Sequence, residues 1–497
     1  MRCRLIFVGL LTCLCALYAD PPGAGTAGID SALVQIHAAS LRDDLKFIAS
    51  DELAGRDSPS PGLDRAADYI AEQFRGAGLE PAVDGSYFQA APMLVEEQDS
   101  NNLSLTISSD RGQFTASRKN MAVRIASALQ LKDAPVFKID PADEAAVRSL
   151  TADQTKDRVV ILEYDRRKMR SVSRKLRTGK PSLLILVDRR GITTHESRPR
   201  QLIDPSEADS EPVTPRITLI GQDAARFFAG MKPAEGGAKI TVQVAAPHRT
   251  AATMRNVIGV LRGSDPALRD TYVLLTAHYD HLGVKPDGPG HRIYNGANDD
   301  GSGTVSVMEV ARALARLPRH PRRSIVFMTF FGEEEGLVGS EYYAHHPVFP
   351  LDKTIADLNL EQVGRTDSTE GRQLSNASLT GFDYSDITRF VEQAGGRTGI
   401  RVYKNAKGSD DYFGASDNYS LAEKGVPAET LCVAFDYRDY HRVGDEWQKI
   451  DYDNMAKVDR AVALAVYLMA DSEQPVQWNE ANPKTEPYVK AQRPARE

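Results

Sequence analysis

Histidines and carboxylates recur in the second half of the chain where apolar runs stop. His278 and Asp280 close TYVLLTAHYD, and Asp299 and Asp300 lie in NGANDDGSGT, a glycine-rich loop leading into an amphipathic stretch. Glu333, Glu334 and Glu335 follow RRSIVFMTFF, Glu361 ends IADLNLE, and His441 sits in DYHRVGDEW. Zinc takes nitrogen from neutral His and oxygen from carboxylates, and a catalytic zinc site leaves room for water. A pair of ions needs one bridging carboxylate. Hydrolysis needs another, unbound to metal, that takes the proton from the attacking water. Two His, a central Asp, two further acidic ligands and a spare Glu meet that requirement. Each piece alone is weak, since His-x-Asp is common and an acidic trio is usually solvated surface. Here the trio leaves a buried-looking run, and the pieces share strand-end positions.

The elements that must hold these groups are legible from periodicity. TYVLLTAHYD, RRSIVFMTFF and PAETLCVAF are strand-like, whereas SGTVSVMEVARALARL and DNMAKVDRAVALAVYLMA are amphipathic helices. Such alternation predicts an α/β domain with a largely parallel central sheet, flanked by helices. Ligands of such sheets bind beyond the carboxyl ends of the strands, where these groups gather. Upstream, LRDDLKFIASDEL and GLDRAADYIAEQFRGAGLEP predict two helices, the second stopped by Gly76 and Gly78. Strands are expected around Asn102–Ile107 and Asn120–Ile125.

Between 133 and 248 the texture changes. RVVILEY and SLLILVD are short strands separated by the basic, helix-like RRKMRSVSRKLRTGK, expected to be a solvated helix face. The polar loop HESRPRQLIDPSEADSEPVTP and the strand RITLI follow. This predicts a small α/β module at 133–248, inserted into a larger domain formed by 30–132 and 249–472. After Glu473 the chain turns polar and Pro-bearing, so 473–497 is expected to be a loose tail.

The chain has 497 residues, 41% of them hydrophobic, which suffices for two packed domains. Its net charge of -7 excludes the basic excess that nucleic-acid binding requires. At the N-terminus, Arg2 and Arg4 precede an apolar run from Leu5 to Leu17, too short for a comfortable membrane span. A signal peptide over 1–19, cut after Ala19, is expected, although Leu17 is larger than the residue usually preferred there. A secreted or periplasmic chain follows, with no membrane span left after cleavage. Removal takes Cys3, Cys13 and Cys15, so Cys432 stands alone as an inert strand thiol and no internal disulfide forms.

AHYDHLG, GANDDGSGT, FGEEEGLVGS, LNLEQVGR and YHRVGDEW together resemble the successive metal-site motifs of the M28 family of zinc aminopeptidases. FIASDELAGRDSPSPGLDRAADYIAEQFRGAGLEP is similar to that family's N-terminal helices, and the resemblance covers most of Leu41 to Met469. The insert resembles the protease-associated domain of many members. The resemblance implies a zinc-exopeptidase-like fold and two Zn2+ ions. His278 is implied as a ligand of one ion, Asp299 as the bridge, and Glu334 and His441 as ligands of the other. Glu333 is implied as the general base, Asp280 as the partner that fixes the His278 ring, and Tyr440 as a stabiliser of the tetrahedral intermediate. The Asp299-Asp300 peptide is expected to be cis.

One departure stands out: Glu361 occupies the slot where the family usually carries Asp. Asp357 is the fallback ligand, but four residues of strand separate the two by roughly 13 Å, so only one can reach the ion. Glu361 is the expected ligand. His281 is placed at the pocket wall, and His291, His345 and His346 on the surface. Peptides are the implied substrates and aminopeptidase action the implied activity. A carboxypeptidase, a single-metal glutaminyl cyclase and a receptor-like binding protein remain open on the same scaffold. Retention of the whole ligand set favours two-metal hydrolysis.

Overall fold

A computed structural model describes residues 24–492, apart from 99–102, 111, 117–119, 165–171, 173–175, 177, 190–199, 209–213, 232–233 and 286–287. The expected signal peptide lies outside the described residues, as do most of the basic positions between 165 and 177. Among the described residues, no helix is long and apolar enough to cross a membrane.

A mixed ten-stranded sheet forms the larger layer. Its centre consists of β1 (Tyr272–His278), β2 (Ser324–Phe330), β3 (Thr354–Glu361) and β4 (Ala428–Cys432), running parallel in the spatial order β4-β3-β1-β2. Every residue of β1 and β2 is buried, as expected of parallel strands covered on both faces. The antiparallel strands His248–Leu261 and Phe88–Glu97 extend the sheet beyond β2. The expectation of an α/β fold with a mixed, largely parallel centre holds.

Helices α1 (Ala38–Ile48), α2 (Pro61–Ala77), α3 (Gly303–Ala315) and α4 (Tyr452–Asp471) bury their apolar sides in one core with the sheet. Local chemistry sets the ends of α2. Ser60 Oγ accepts from Leu63 N at 3.1 Å, Pro61 opens the first turn, and Gly78 closes the helix at φ 83. An alanine at Gly78 would be strained by that φ.

A second, eight-stranded sheet has its own apolar core. It corrects the insert boundary at 133, because Leu103–Ser109, Gly112–Thr115 and Met121–Arg124 belong to it. Leu105 and Ile107 face Val242 and Ile240, while Val123 faces Ile217. Alternation in the sequence identifies a strand but not the sheet it joins. The polar loop also needs correction. Arg200–Ile203 is a strand, and it pairs antiparallel with Phe88–Glu97 in the first sheet, burying Leu202 in the main core.

The expected loose tail is docked. Val476 and Trp478 are buried, the Trp478 indole N–H donates to Gly425 O at 2.9 Å, and its ring stacks on Tyr488 at 5.2 Å. A few aromatic anchors secure a segment whose composition is otherwise polar. Residues 493–497 lie outside the described residues.

Candidate metal centre

The centre forms at the carboxyl ends of β1, β2 and β3, and on two loops that fold over them. His278 is the last residue of β1 and is fully buried. Its Nε2 lies 3.5 Å from both Asp299 Oδ1 and Glu361 Oε1, and 4.0 Å from Glu333 Oε2. On the other side of the ring, Nδ1 is 3.2 Å from Asp280 O and 3.4 Å from Asp280 Oδ1. Asp280 also accepts from the Glu333 N–H at 3.1 Å. One buried carboxylate thus orients the β1 histidine and the turn after β2 together.

Asp299 sits between two clusters. Oδ1 faces His278, while Oδ2 is 3.1 Å from His441 Nε2. Glu334 Oε2 lies 3.4 Å from that same nitrogen. The flanking residues hold the Asp299 loop against the end of β3. Asn298 Oδ1 accepts from Gly364 N and Arg365 N at 2.9 and 2.8 Å, and Asp300 Oδ1 accepts from Gln362 N at 3.2 Å. Asp445 Oδ2 takes the N–H groups of Asn298 and Asp299 and the Tyr437 hydroxyl, at 2.9, 3.1 and 3.0 Å. That single oxygen ties the His441 loop to the Asp299 loop. The Asp299-Asp300 peptide is cis.

Glu361, not Asp357, reaches the cluster. Asp357, Asn359 and Glu361 share one face of β3 by alternation, and only Glu361 stands at its end. Ser416 Oγ donates to Glu361 Oε2 at 2.8 Å, leaving Oε1 toward His278. Asp357 is fully buried further back, accepting from Thr276 Oγ1 at 2.8 Å. Burial pushes its carboxyl up to about 8, against that hydrogen bond.

The ring of Tyr440 stacks on His441 at 4.0 Å. His291 is surface, 3.2 Å from Asp51. Burial and Glu361 push the Cys432 thiol well above its ordinary value, which fits an inert thiol.

His281 is more than pocket wall. It is fully buried, its Nδ1 is 2.7 Å from Glu334 Oε1, and it groups with Asp299 and Glu334. Asp445 and Ser416 were likewise missed as supporting residues, although Asp445 lies inside the quoted YHRVGDEW.

Two triads meet the geometry of a metal site: His278, Asp299 and Glu361, and His281, Asp299 and Glu334. Within each triad the donor atoms lie within 4.8 Å of one another. His278 Nε2, Asp299 Oδ2 and Glu334 Oε1 are buried and make no aligned hydrogen bond, although possible partners lie close by. Convergent, unaligned donors of this kind fit a cation at the point of convergence, and the His and carboxylate set suits zinc. Burial holds the Glu333 carboxyl well above its usual range. Glu361, Glu334 and Asp417 add to that, while His278 opposes it.

Residues 256–466 match the model of Peptidase family M28. The aminopeptidase YwaD of Bacillus subtilis is 27% identical over 52% of this chain and 54% of its own length. A probable zinc metalloprotease of Leptosphaeria maculans is 34% identical over 30% of this chain and 34% of its own. These matches therefore span about half and about a third of the two relatives. Among solved structures, an aminopeptidase from Aneurinibacillus sp. strain AM-1 superposes with a TM-score of 0.60 at 19% identity, covering 90% of this chain and 97% of that one. BSAP, a zinc aminopeptidase from Bacillus subtilis, gives 0.55 at 18% identity, over 88% and 96%. The stretch 256–466, which carries the strand-end site, is thus similar to peptidase family M28.

Proposed function

We propose that this protein is an exported two-zinc aminopeptidase that removes N-terminal residues from peptides, with Glu333 as general base. The observation that carries the reading is the position of Asp299, which offers one oxygen to the His278 cluster and the other to the His441 cluster. His278, Asp299 and Glu361 would hold one ion. Asp299, Glu334 and His441 would hold the other, with His281 against Glu334 Oε1. Zinc bound there supplies Lewis acidity and makes a water easier to deprotonate.

Glu333 accepts the proton of the attacking water and passes it to the leaving amine, and its raised affinity for protons suits that shuttle. Asp280 keeps Glu333 and His278 in register through one carboxylate. Tyr440, stacked on His441, steadies the tetrahedral intermediate. The excess of carboxylates draws in the cationic amino end of a peptide, which favours aminopeptidase over carboxypeptidase action. The inserted second sheet would restrict the site to chain ends or short peptides. The leader at 1–19 would direct export.

The test is elemental analysis together with a panel of aminoacyl and N-blocked fluorogenic substrates, with and without chelator. Two zinc ions per chain and chelator-sensitive hydrolysis of free-amine substrates only are expected. One tightly held ion, or a preference for N-blocked substrates, overturns the proposal.

A further inference from the structure

The strongest unassigned feature lies beneath the metal centre, in the strap Ala54-Gly55-Arg56-Asp57-Ser58. Three successive residues, Ala54, Gly55 and Arg56, have positive φ, at 47, 73 and 49°. That path lays the main chain against the loop after β1. His281 N donates to Arg56 O at 3.1 Å, and Gly283 N donates to Gly55 O at 3.0 Å. A side chain at Gly55 would run into Gly283 O and Tyr294 O, so glycine is required there.

Arg56 is fully buried. Its guanidinium donates to four main-chain carbonyls: Nε to Tyr279 at 2.8 Å, Nη1 to Ile48 at 2.5 Å and Asn295 at 2.7 Å, and Nη2 to Gly296 at 2.8 Å. Tyr279 follows His278 directly. Asn295 and Gly296 open the loop that ends in Asp299. Ile48 ends helix α1. One planar cation thus joins a helix end to the loop after β1 and to the loop that carries Asp299. Ser58 completes the strap, its Oγ donating to Asp280 Oδ2 at 3.3 Å, and Asp280 in turn faces His278 and the Glu333 N–H.

A filler role does not account for this residue. Burying a cation is costly, and an apolar side chain of similar volume usually serves packing as well or better. Among the described residues no carboxylate pairs with Arg56 directly; burial lowers its pKa, and the charges of Asp280, Asp445, Asp299 and Asp300 oppose that. The guanidinium is a rigid fork of five donors, a geometry that the three donors of lysine on one nitrogen cannot reproduce. What the fork fixes is the spacing between the Tyr279 and Gly296 carbonyls, and with it the distance from His278 to Asp299.

We propose that Arg56 and Ser58 are positioning residues of the metal centre: Arg56 sets the separation of the two ligand loops, and Ser58 sets the Asp280 carboxylate that orients His278. The inference rests on the metal-site reading above. The test uses the full chain carrying Arg56→Lys, Arg56→Met or Ser58→Ala. Zinc affinity is measured by chelator competition, the d–d spectrum after Co2+ loading, and thermal stability separately on the metal-free protein. Both Arg56 variants should lose tenfold or more in zinc affinity with a shifted Co2+ band, and kcat should fall while KM stays within twofold. Ser58→Ala should lose several-fold in zinc affinity and shift the same band. Arg56 variants with lower thermal stability but wild-type zinc affinity and Co2+ spectrum overturn the proposal, because that pattern is merely structural. If neither Arg56 variant folds, Ser58→Ala decides, and an unchanged spectrum and affinity overturn the proposal. A wild-type chain that takes up neither zinc nor Co2+ overturns the metal-site reading together with this one. Variants matching a zinc-loaded wild type overturn this one alone.

Discussion

The two halves of the centre are built differently. On the first side, His278 and Glu361 end two neighbouring parallel strands, so the sheet fixes their spacing, and His278 is fully buried. On the second side, His441 comes from a loop, at φ 53, with 16% of its side chain exposed, and Tyr440 beside it is 38% exposed. The loop is held mainly by Asp445 at the Asp299 loop and by Arg365 and Lys449 on Asp439. A strand end resists displacement because moving it breaks a ladder, whereas a loop moves when a few side-chain bonds break. The first half is therefore a preformed socket, and the second is assembled by contacts that can be removed one at a time.

The largest expected effect falls on a residue that belongs to neither half as a ligand. Glu333→Gln should retain zinc and fold while losing about 10²–10⁴-fold in kcat. Near-normal turnover in a zinc-loaded variant would remove Glu333 from its role. Next in size, Glu334→Gln and His441→Ala should each leave one tightly held ion, whereas His278→Ala should disturb both through Asp299. Ion counts after dialysis check this, and two tight ions in His441→Ala would break the comparison outright.

Asp445→Asn should weaken the second half by roughly tenfold in zinc affinity, a usual size for an outer-shell change, and leave the first half unchanged. A stepwise chelator titration separates the two. The shorter stem of Glu361→Asp draws the carboxylate back from His278 and from the Ser416 hydroxyl. A several-fold loss in the first half is expected, and stronger binding there would show that the longer side chain is a handicap.

The smallest effect serves as a reference outside both halves. Glu429 on β4 is fully buried and accepts from Ser385 Oγ and Thr388 Oγ1 at 2.7 and 3.0 Å. Burial raises its pKa well above the ordinary value, against those bonds. A raised carboxyl contributes stability that is fully present below its unfolded value, about 4.3, and is lost as pH rises through the folded one. Glu429→Gln should therefore melt higher relative to wild type at pH 8 than at pH 4, with zinc content unchanged. Melting curves at the two pH values check it, and an equal difference at both would contradict it.

The candidate centre was largely legible because most of its His and carboxylate residues follow long apolar runs, and a run ending in His or Glu marks both a strand and the end where such groups gather. Glu361 was separable from Asp357 on position alone. What escaped notice were residues defined by their partners. Among the described residues the Arg56 guanidinium bonds to carbonyls alone, which carry no sequence signature. His281 closes on Glu334 only because the chain folds back after β1. The strands Leu103–Ser109 and Met121–Arg124 showed their alternation but not their sheet, since pairing across more than about ninety residues leaves no local mark. The docking of Trp478 was hidden for a related reason: composition averaged one anchoring indole into a polar segment.

The short strand Arg200–Ile203 has a practical consequence for anyone trimming this protein. It departs from the second sheet, lies along Phe88–Glu97 with Leu94 opposite Ile203, and then returns. The smaller unit is thus stitched into the larger one midway along its length, and is not a bead on a two-ended string. Cutting it out would strip the outermost ribbon from the main sheet. The outer edge of Leu94–Glu97 would then be left bare, an invitation for one molecule to adhere to the next. During synthesis the same margin stays open until the chain has grown past Ile203, more than a hundred residues after Leu94 emerges.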